Sequence, residues 1–259
     1  MRLRLISLLI ATISAGAPLG RQAPAPPAFE VASIREHAGP LRTMDTITIS
    51  GTLVRLQGYT LGMLVREAYH LNRYQLSLAG LRGAQRDWAQ GVYYEIEARA
   101  PGGSVVTRDQ ARAMLQTLLA RRFQLSVRHE NKTVAVYILA PAKRGPRIAS
   151  DRTATTCAGR MSVAPGGQSY AFTGCGIGEL AAILQDQVVD RPVLDRTSMT
   201  GVYDYTLICA PLFMSRRHPD AGGLSPFAAL QQQLGLQLEP QRAAMDTVVV
   251  VRAAPPTAN

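Results

Sequence analysis

The side chains best suited to catalysis or metal binding are scattered along this chain of 259 residues rather than gathered in motifs. The four histidines stand singly, and the stretch beginning at His129 lacks the second histidine of a zinc-protease motif. The three cysteines form no Cys-x-x-Cys pair of the kind that binds zinc. A nucleophile elbow, a Ser-x-x-Lys dyad and a phosphate-binding glycine loop are also missing from the sequence. We therefore expect no catalytic residue, no metal site and no cofactor.

One pair of carboxylates could in principle do acid–base chemistry. Glu95 and Glu97 alternate along a predicted strand, so their side chains face the same side, as a general acid and base would. A solvated strand face that meets arginines is the simpler interpretation. The sequence favours a protein that is not an enzyme. The alternative is an enzyme whose site forms between two lobes, from loops around residues 40–46, 80–90 and 212–224.

The cysteines indicate a disulfide. Cys157 and Cys175 flank a Gly- and Ser-rich stretch, and a bridge between them would pin that loop in an oxidising compartment. Cys209 ends a strand pattern and is expected to be a buried thiol. Three pairings are open to three cysteines, and the sequence favours Cys157 with Cys175.

The first residues predict export. Basic Arg2 and Arg4 precede a nine-residue apolar run and small residues, which is the pattern of a secretory signal peptide over residues 1–20. A membrane-spanning helix needs about 20 apolar residues, so we expect no transmembrane span once the signal is removed. Residues 21–28 are rich in proline and form an expected spacer. The predicted location is periplasmic or extracellular.

The positive charge lies in one half of the chain. The net charge is +10, and residues 29–150 carry 17 Lys and Arg against 9 Asp and Glu, whereas residues 151–259 carry 8 against 9. A candidate basic patch, which could bind an anionic surface or glycan, consists of Arg121, Arg122 and Arg128. The alternative is that these arginines stabilise the end of a helix and solvate the surface. Nucleic acid is excluded as a partner, because no aromatic platform is interleaved with the arginines and export removes the target.

Four amphipathic helices are predicted from apolar residues at helical spacing, over residues 61–69, 107–121, 177–188 and 225–235. In the second helix, Thr107 and Gln110 form a capping box. In the fourth, Ser225 is the N-cap, Pro226 the first helical residue and Gly235 the left-handed C-cap.

Strand patterns follow the second and fourth helices. Residues 123–127 and 134–139 alternate around a predicted hairpin turn at residues 130–132, and residues 236–239 and 247–251 supply two more strands. Each of these stretches therefore predicts a helix–strand–strand unit.

The two halves of the chain match each other. The motif Gly-Val-Tyr-Tyr at residues 91–94 returns 110 residues later as Gly-Val-Tyr-Asp at residues 201–204, again between helical patterns. We therefore predict an α+β fold with two related lobes, over residues 29–150 and 151–259. Each lobe holds two helix–strand–strand units, with helices on one face of small, mostly antiparallel sheets.

With these residues in view, the chain resembles the family often called soil-associated proteins, which are exported and built on a domain of unknown function. The match covers about residues 29–252, and the stretches that carry it are residues 29–35, Ala68-Tyr69, residues 74–76, residues 94–98, residues 114–125, Val136-Tyr137, Gly145-Pro146 and residues 191–204. Residues 81–87 depart from the Gly- and Pro-rich turn usual in that family. More weakly, each helix–strand–strand unit is similar to the short N-terminal domain of secretins and TonB-dependent receptors. That similarity implies an interaction module that works outside the cytoplasm.

These observations together predict a non-catalytic exported protein that binds an envelope or secreted protein. An exposed sheet edge could accept a strand of the partner through main-chain hydrogen bonds. The candidate edge is the β-branched run that contains Thr247, Val249 and Val251, for which the alternative is an ordinary buried strand. A polyanion-binding surface on the basic half is the remaining alternative.

Overall fold

The computed structural model describes residues 26–37, 46–150, 154–212 and 223–257. The predicted signal peptide, residues 1–20, and most of the spacer lie outside the described residues. So do residues 40–45 and 213–222, which make up most of two of the loops assigned to a possible enzymatic site.

The described residues form five helices and twelve strands. The helices are α1 (Leu61–Tyr69), α2 (Ala84–Gly91), α3 (Arg108–Arg122), α4 (Ile177–Ile183), which continues as a π-helical turn over Leu184–Val188, and α5 (Pro226–Ala229), which continues as a π-helical turn over Leu230–Leu234. The strands are β1 (Val31–Glu36), β2 (Thr46–Ser50), β3 (Leu53–Thr60), β4 (Leu76–Ser77), β5 (Tyr93–Arg99), β6 (Ser126–Pro141), β7 (Ala149–Ser150), β8 (Ala158–Ala164), β9 (Gly167–Cys175), β10 (Val193–Asp195), β11 (Tyr203–Cys209) and β12 (Leu236–Arg252).

The strand order repeats between the halves of the chain. The first sheet has the order β1-β5-β3-β2 and the last sheet has the order β7-β11-β9-β8, so each strand of one has its counterpart in the other. Strand pairing within both sheets is antiparallel. The predicted α+β class is confirmed. Helix α2, in the segment that departs from the family pattern, has no counterpart among the described elements of the second half.

The middle sheet joins the two repeats. Its order is β10-β6-β12-β4, with β6 and β12 antiparallel from Leu236 opposite Pro141 to Arg252 opposite Ser126. The predicted hairpin turn at residues 130–132 is wrong, because those residues continue β6 and pair with residues 245–247 of β12. The continuous partner strand β12 supplies hydrogen-bond partners for the main-chain groups of residues 130–132, so these residues stay extended instead of turning.

Each long strand begins in one hydrophobic core and ends in the other. Val127 of β6 packs against the first core, whereas Leu139 is fully buried in the second. Strand β12 runs the opposite way, with Leu236 in the second core and Val248 and Val250 in the first. Either core is therefore incomplete without a strand from the other repeat.

The helix ends confirm the predicted caps. Thr107 accepts a hydrogen bond from the amide of Gln110, and the Gln110 side chain accepts one from the Thr107 amide. The Ser225 side chain caps α5 by accepting a hydrogen bond from the Ala228 amide, with Pro226 as the first helical residue. Gly235 ends the following turn at a φ of +64°. A Cβ there would collide with the carbonyl oxygen of Gly145, so this close approach requires glycine.

The segment after each long strand caps a helix of the other repeat. These hydrogen bonds run from the Ala254 amide to the Phe123 carbonyl (2.8 Å), from Thr257 to Arg122 (3.0 Å), from Ala142 to Gly235 (2.9 Å) and from Arg147 to Leu234 (2.8 Å). Each repeat therefore caps a helix of the other, because each long strand ends beside the other repeat.

We expect neither repeat to fold alone. A fragment of residues 26–150 would lack Val248 and Val250 of its core and would expose Leu139, so its apolar surface would remain in contact with water. Circular dichroism and amide exchange should report an unfolded fragment that becomes protected when residues 151–259 are added. Native-like exchange protection of the isolated fragment would contradict this expectation.

Candidate functional site

The second repeat ends its sheet with an exposed strand, β8. It pairs with β9 from Ala158 opposite Thr173 to Ala164 opposite Gly167, and among the described strands it has no second neighbour. Edge strands present a row of main-chain donors and acceptors to any chain that can pair with them. β8 is therefore the position in this sheet at which a further strand could be added.

The side chains of β8 do not protect this edge. Six of its seven residues are exposed, including Met161 at 53% and Val163 at 83%, and Arg160 carries the one charge. Natural edge strands are usually short, bulged, proline-containing or charged. In the first repeat, the equivalent strand β2 packs Ile47 and Ile49 against the core. β8 thus exposes apolar groups that its counterpart covers.

The hairpin geometry decides which main-chain groups face outward. A two-residue loop, residues 165–166, joins β8 to β9, and such a loop closes on a hydrogen-bonded pair. Hydrogen-bonded and non-hydrogen-bonded pairs then alternate along the strands. The amide and carbonyl groups of Gly159, Met161 and Val163 consequently point away from β9, toward the open edge.

A disulfide fixes the base of this hairpin. It joins Cys157, just before β8, to Cys175, the last residue of β9, with Cα atoms 4.6 Å apart. These are the two cysteines whose pairing the sequence favours. Cys209 on β11 is a buried free thiol, and burial raises its pKa to about 12, so it remains protonated and unreactive at neutral pH.

The predicted partner-binding edge is not an edge. Thr247 and Val249 are buried, and Val249 pairs with Arg128 of β6 on one side and with Ser77 of β4 on the other. Val251 is 45% exposed but lies beside the close approach of Gly80. The β-branched run is an interior strand of the middle sheet, which is the environment that such continuous apolar runs favour.

Two of the three arginines in the predicted basic patch contact other residues of the chain. The Arg122 guanidinium donates to the hydroxyl (3.1 Å) and carbonyl (2.7 Å) oxygens of Thr257, and Arg128 forms an ion pair with Glu130. Arg121 is exposed on α3. The three arginines therefore do not form one patch of side chains that all face solvent without a partner in the chain.

The two carboxylates on β5 share a face as expected, but each has a different partner. His37 Nδ1 lies 2.7 Å from Glu95 Oε1, and the Arg55 Nε donates to Glu97 Oε2 at 3.1 Å. This face is the outer, polar side of the first sheet. The predicted meeting of strand carboxylates with arginine holds for Glu97.

A third carboxylate, on α1, organises the helices of the first repeat. Glu67 accepts two hydrogen bonds from Arg108 (3.0 and 2.8 Å) and one from Arg112 (3.1 Å) on α3. Burial alone would raise the pKa of Glu67, but the hydrogen bonds and charges of the two arginines outweigh it and leave the pKa below its ordinary value. The network thus holds α1 to α3.

In the part of the chain that the structure describes, no three His, Cys, Asp or Glu side chains group as metal ligands. None of the helices in those residues is both long and apolar enough to span a bilayer.

Comparison with known proteins gives one match. A sequence model of the family described as "Protein of unknown function (DUF3738)" matches residues 62–253. No curated protein and no solved structure matches the chain.

Removing the disulfide should destabilise the last sheet. Its two cysteines are 18 residues apart, and opening a loop of that size costs about 3 kcal/mol of stability through the entropy of the unfolded chain. We expect the double variant Cys157→Ser, Cys175→Ser to show this loss in urea unfolding. Adding a reductant should destabilise the natural chain by a similar amount and leave the double variant unchanged. Equal stability of the double variant and of the natural chain without reductant would contradict the expectation.

The Glu67 network predicts a pH-dependent contribution to stability. A carboxylate with a lowered pKa in the folded state stabilises the protein above its ordinary pKa, and this stability is lost as the pH falls through the folded-state value. Glu67→Gln should therefore lower the free energy of unfolding by about 2 kcal/mol at neutral pH and by progressively less in acid. As a control, Glu97→Gln should cost below about 1 kcal/mol, because its ion pair with Arg55 is half exposed. A Glu67→Gln effect that does not change with pH would refute this assignment.

Proposed function

The chain belongs to the DUF3738 family, whose description assigns no function, and from its geometry we propose that it is a non-catalytic binding module that takes up an extended segment of another protein at the edge of β8. The observation that carries the proposal is the combination at β8 of a one-sided strand with exposed Met161 and Val163. A monomeric protein gains nothing in stability from apolar side chains left in water. A strand-shaped partner would cover them.

The chemistry of recognition follows from the strand. The outward-facing main-chain groups of Gly159, Met161 and Val163 would hydrogen-bond to the partner and supply affinity. Each of these hydrogen bonds would replace contacts that the amide or carbonyl group otherwise makes with water. The partner's apolar residues, at alternate positions, would pack beside Met161 and Val163. On the opposite face, Arg160 favours an acidic residue of the partner.

We place this binding outside the cytoplasm. The signal-like residues 1–20 and the Cys157–Cys175 disulfide both support an oxidising, exported setting. The partner would then be an envelope or secreted protein. The resemblance to soil-associated exported proteins agrees with this proposal. So does the similarity of single units to the short N-terminal domain of secretins and TonB-dependent receptors.

The proposal is tested with peptides displayed on phage and selected against the disulfide-bonded protein. Selected peptides should share apolar residues at alternate positions. Met161→Pro removes the central outward-facing amide at a position where an edge strand tolerates proline, and should weaken peptide binding at least about tenfold. Met161→Thr keeps that amide and should weaken binding less than about fivefold.

Thermal unfolding of both variants, with the disulfide intact, verifies that β8 has kept its place. Val163→Pro provides a second, independent removal of an outward-facing amide. If Met161→Pro and Val163→Pro both bind the selected peptides as well as the natural chain does, strand addition at β8 is excluded.

A further inference from the structure

The first repeat contains an open groove that β8 does not touch. Helix α1, the extended segment at residues 76–79 and helix α2 form its walls, and its volume is about 680 Å³. Its lining includes the guanidinium groups of Arg66, Arg73 and Arg86 and the apolar side chains of Met63, Leu76 and Leu78.

The charges in the groove are of one sign. Arg66, Arg73 and Arg86 belong to the lining, which contains no carboxylate. Within the described residues, none of these three arginines forms an ion pair with a carboxylate inside 4 Å. Asp186 acts on Arg66 and Arg73 at longer range, from the π-helical turn of the second repeat. A row of arginines facing a groove is suited to carboxylates, which guanidinium binds in a bidentate fashion.

One of the arginines is held in place by its neighbours. Arg73 donates to the carbonyl oxygen of Asp186 at 3.1 Å and to the Tyr74 hydroxyl at 2.6 Å, and its guanidinium lies over the Tyr74 ring. The Tyr74 hydroxyl in turn donates to the carbonyl of Gln185. These contacts hold Arg73 at the groove through a carbonyl and a hydroxyl oxygen rather than through a close ion pair with a carboxylate.

The second repeat acts as an internal comparison. Leu61-Gly62-Met63-Leu64 at the start of α1 corresponds to Ile177-Gly178-Glu179-Leu180 at the start of α4, so an acidic residue stands where the groove has methionine. The wall formed by α2 also has no counterpart among the described elements there. Among the described residues, the basic groove is therefore a property of the first repeat.

The open edge of β4 favours an extended ligand. Strand β4 is the outer strand of the middle sheet, paired with β12 on one side only. The edge that it leaves open borders the groove, where Leu76 and Leu78 alternate with Ser77. We propose that this groove binds an acidic peptide segment in extended conformation. Its carboxylates would meet Arg66, Arg73 and Arg86, and the apolar residues between them would contact Met63, Leu76 and Leu78.

The test uses the full chain and a fluorescein-labelled Glu-Leu-Glu-Leu-Glu peptide, with Gln-Leu-Gln-Leu-Gln as the neutral control, measured by fluorescence anisotropy. We expect the acidic peptide to bind and the neutral one not to bind, with affinity that falls as salt is added. Arg66→Gln and Arg86→Gln should each weaken binding about fivefold. Arg121→Gln makes the same change of charge on an exposed arginine outside the groove, and should leave binding unchanged.

Two further variants distinguish binding in the groove from binding at β8 and from general charge attraction. Because the alternating peptide could also pair with β8, binding in the groove is identified as the part that Arg66→Gln and Arg86→Gln weaken and Met161→Pro leaves unchanged. Failure of the β8 proposal and failure of this one are therefore distinguishable. Arg86→Lys keeps the charge on α2 and should retain more affinity than Arg86→Gln, which checks that a variant at this position folds. The affinity that Arg86→Lys loses relative to the natural chain reports the bidentate geometry that lysine cannot form. Equal losses for Arg86→Gln and Arg121→Gln, or tighter binding of a heparin fragment than of the peptide, would overturn the proposal in favour of general attraction between polyanions and a basic surface.

Discussion

The pairing of β6 with β12 is the constraint on which the rest of this structure depends. Each strand starts beside its own repeat's core and finishes in the other's, so the two hydrophobic cores are closed by the same pair of strands. The short strands β4 and β10 then add to the outside of this pair, each parallel to the long strand of the opposite repeat. A defect in one core is therefore transmitted through the strands to the other, and the repeats are linked in stability although each has its own outer sheet.

The same constraint separates the two proposed binding positions. The basic groove borders β4, which is attached to the shared pair of strands, so its walls are held by contacts from both repeats. Strand β8 lies at the far edge of the last sheet and contributes none of its side chains to the buried core. Its position depends on pairing with β9 and on the disulfide from Cys157 to Cys175. An edge held in this way can gain a partner strand without disturbing either core.

The sequence predicted the local features of the fold well and its long-range pairings poorly. Helix boundaries and the caps at Thr107, Ser225 and Gly235 depend on neighbouring residues, and periodicity reveals them. The turn at residues 130–132 was wrong because an Asn-containing, polar stretch favours a turn locally, whereas 17 residues of partner strand override that preference. The exposed edge strand β8 is not predicted, because its Gly- and Ser-containing sequence resembles a loop. The alternation of Met161 and Val163 before Pro-Gly-Gly was the available signal.

The repeated strand order provides a physical argument about function. The repeats share the order of strands in the outer sheets and the exchange of long strands. Other features are found in one repeat alone. They include α2 with the arginines beside it, the exposed apolar strand β8, and the disulfide that anchors β8. An exposed apolar edge and a groove lined by arginines without a close carboxylate both lower stability or solubility when left uncovered. Their occurrence at the points where the repeats differ agrees with the two proposals, each of which assigns one of them a ligand.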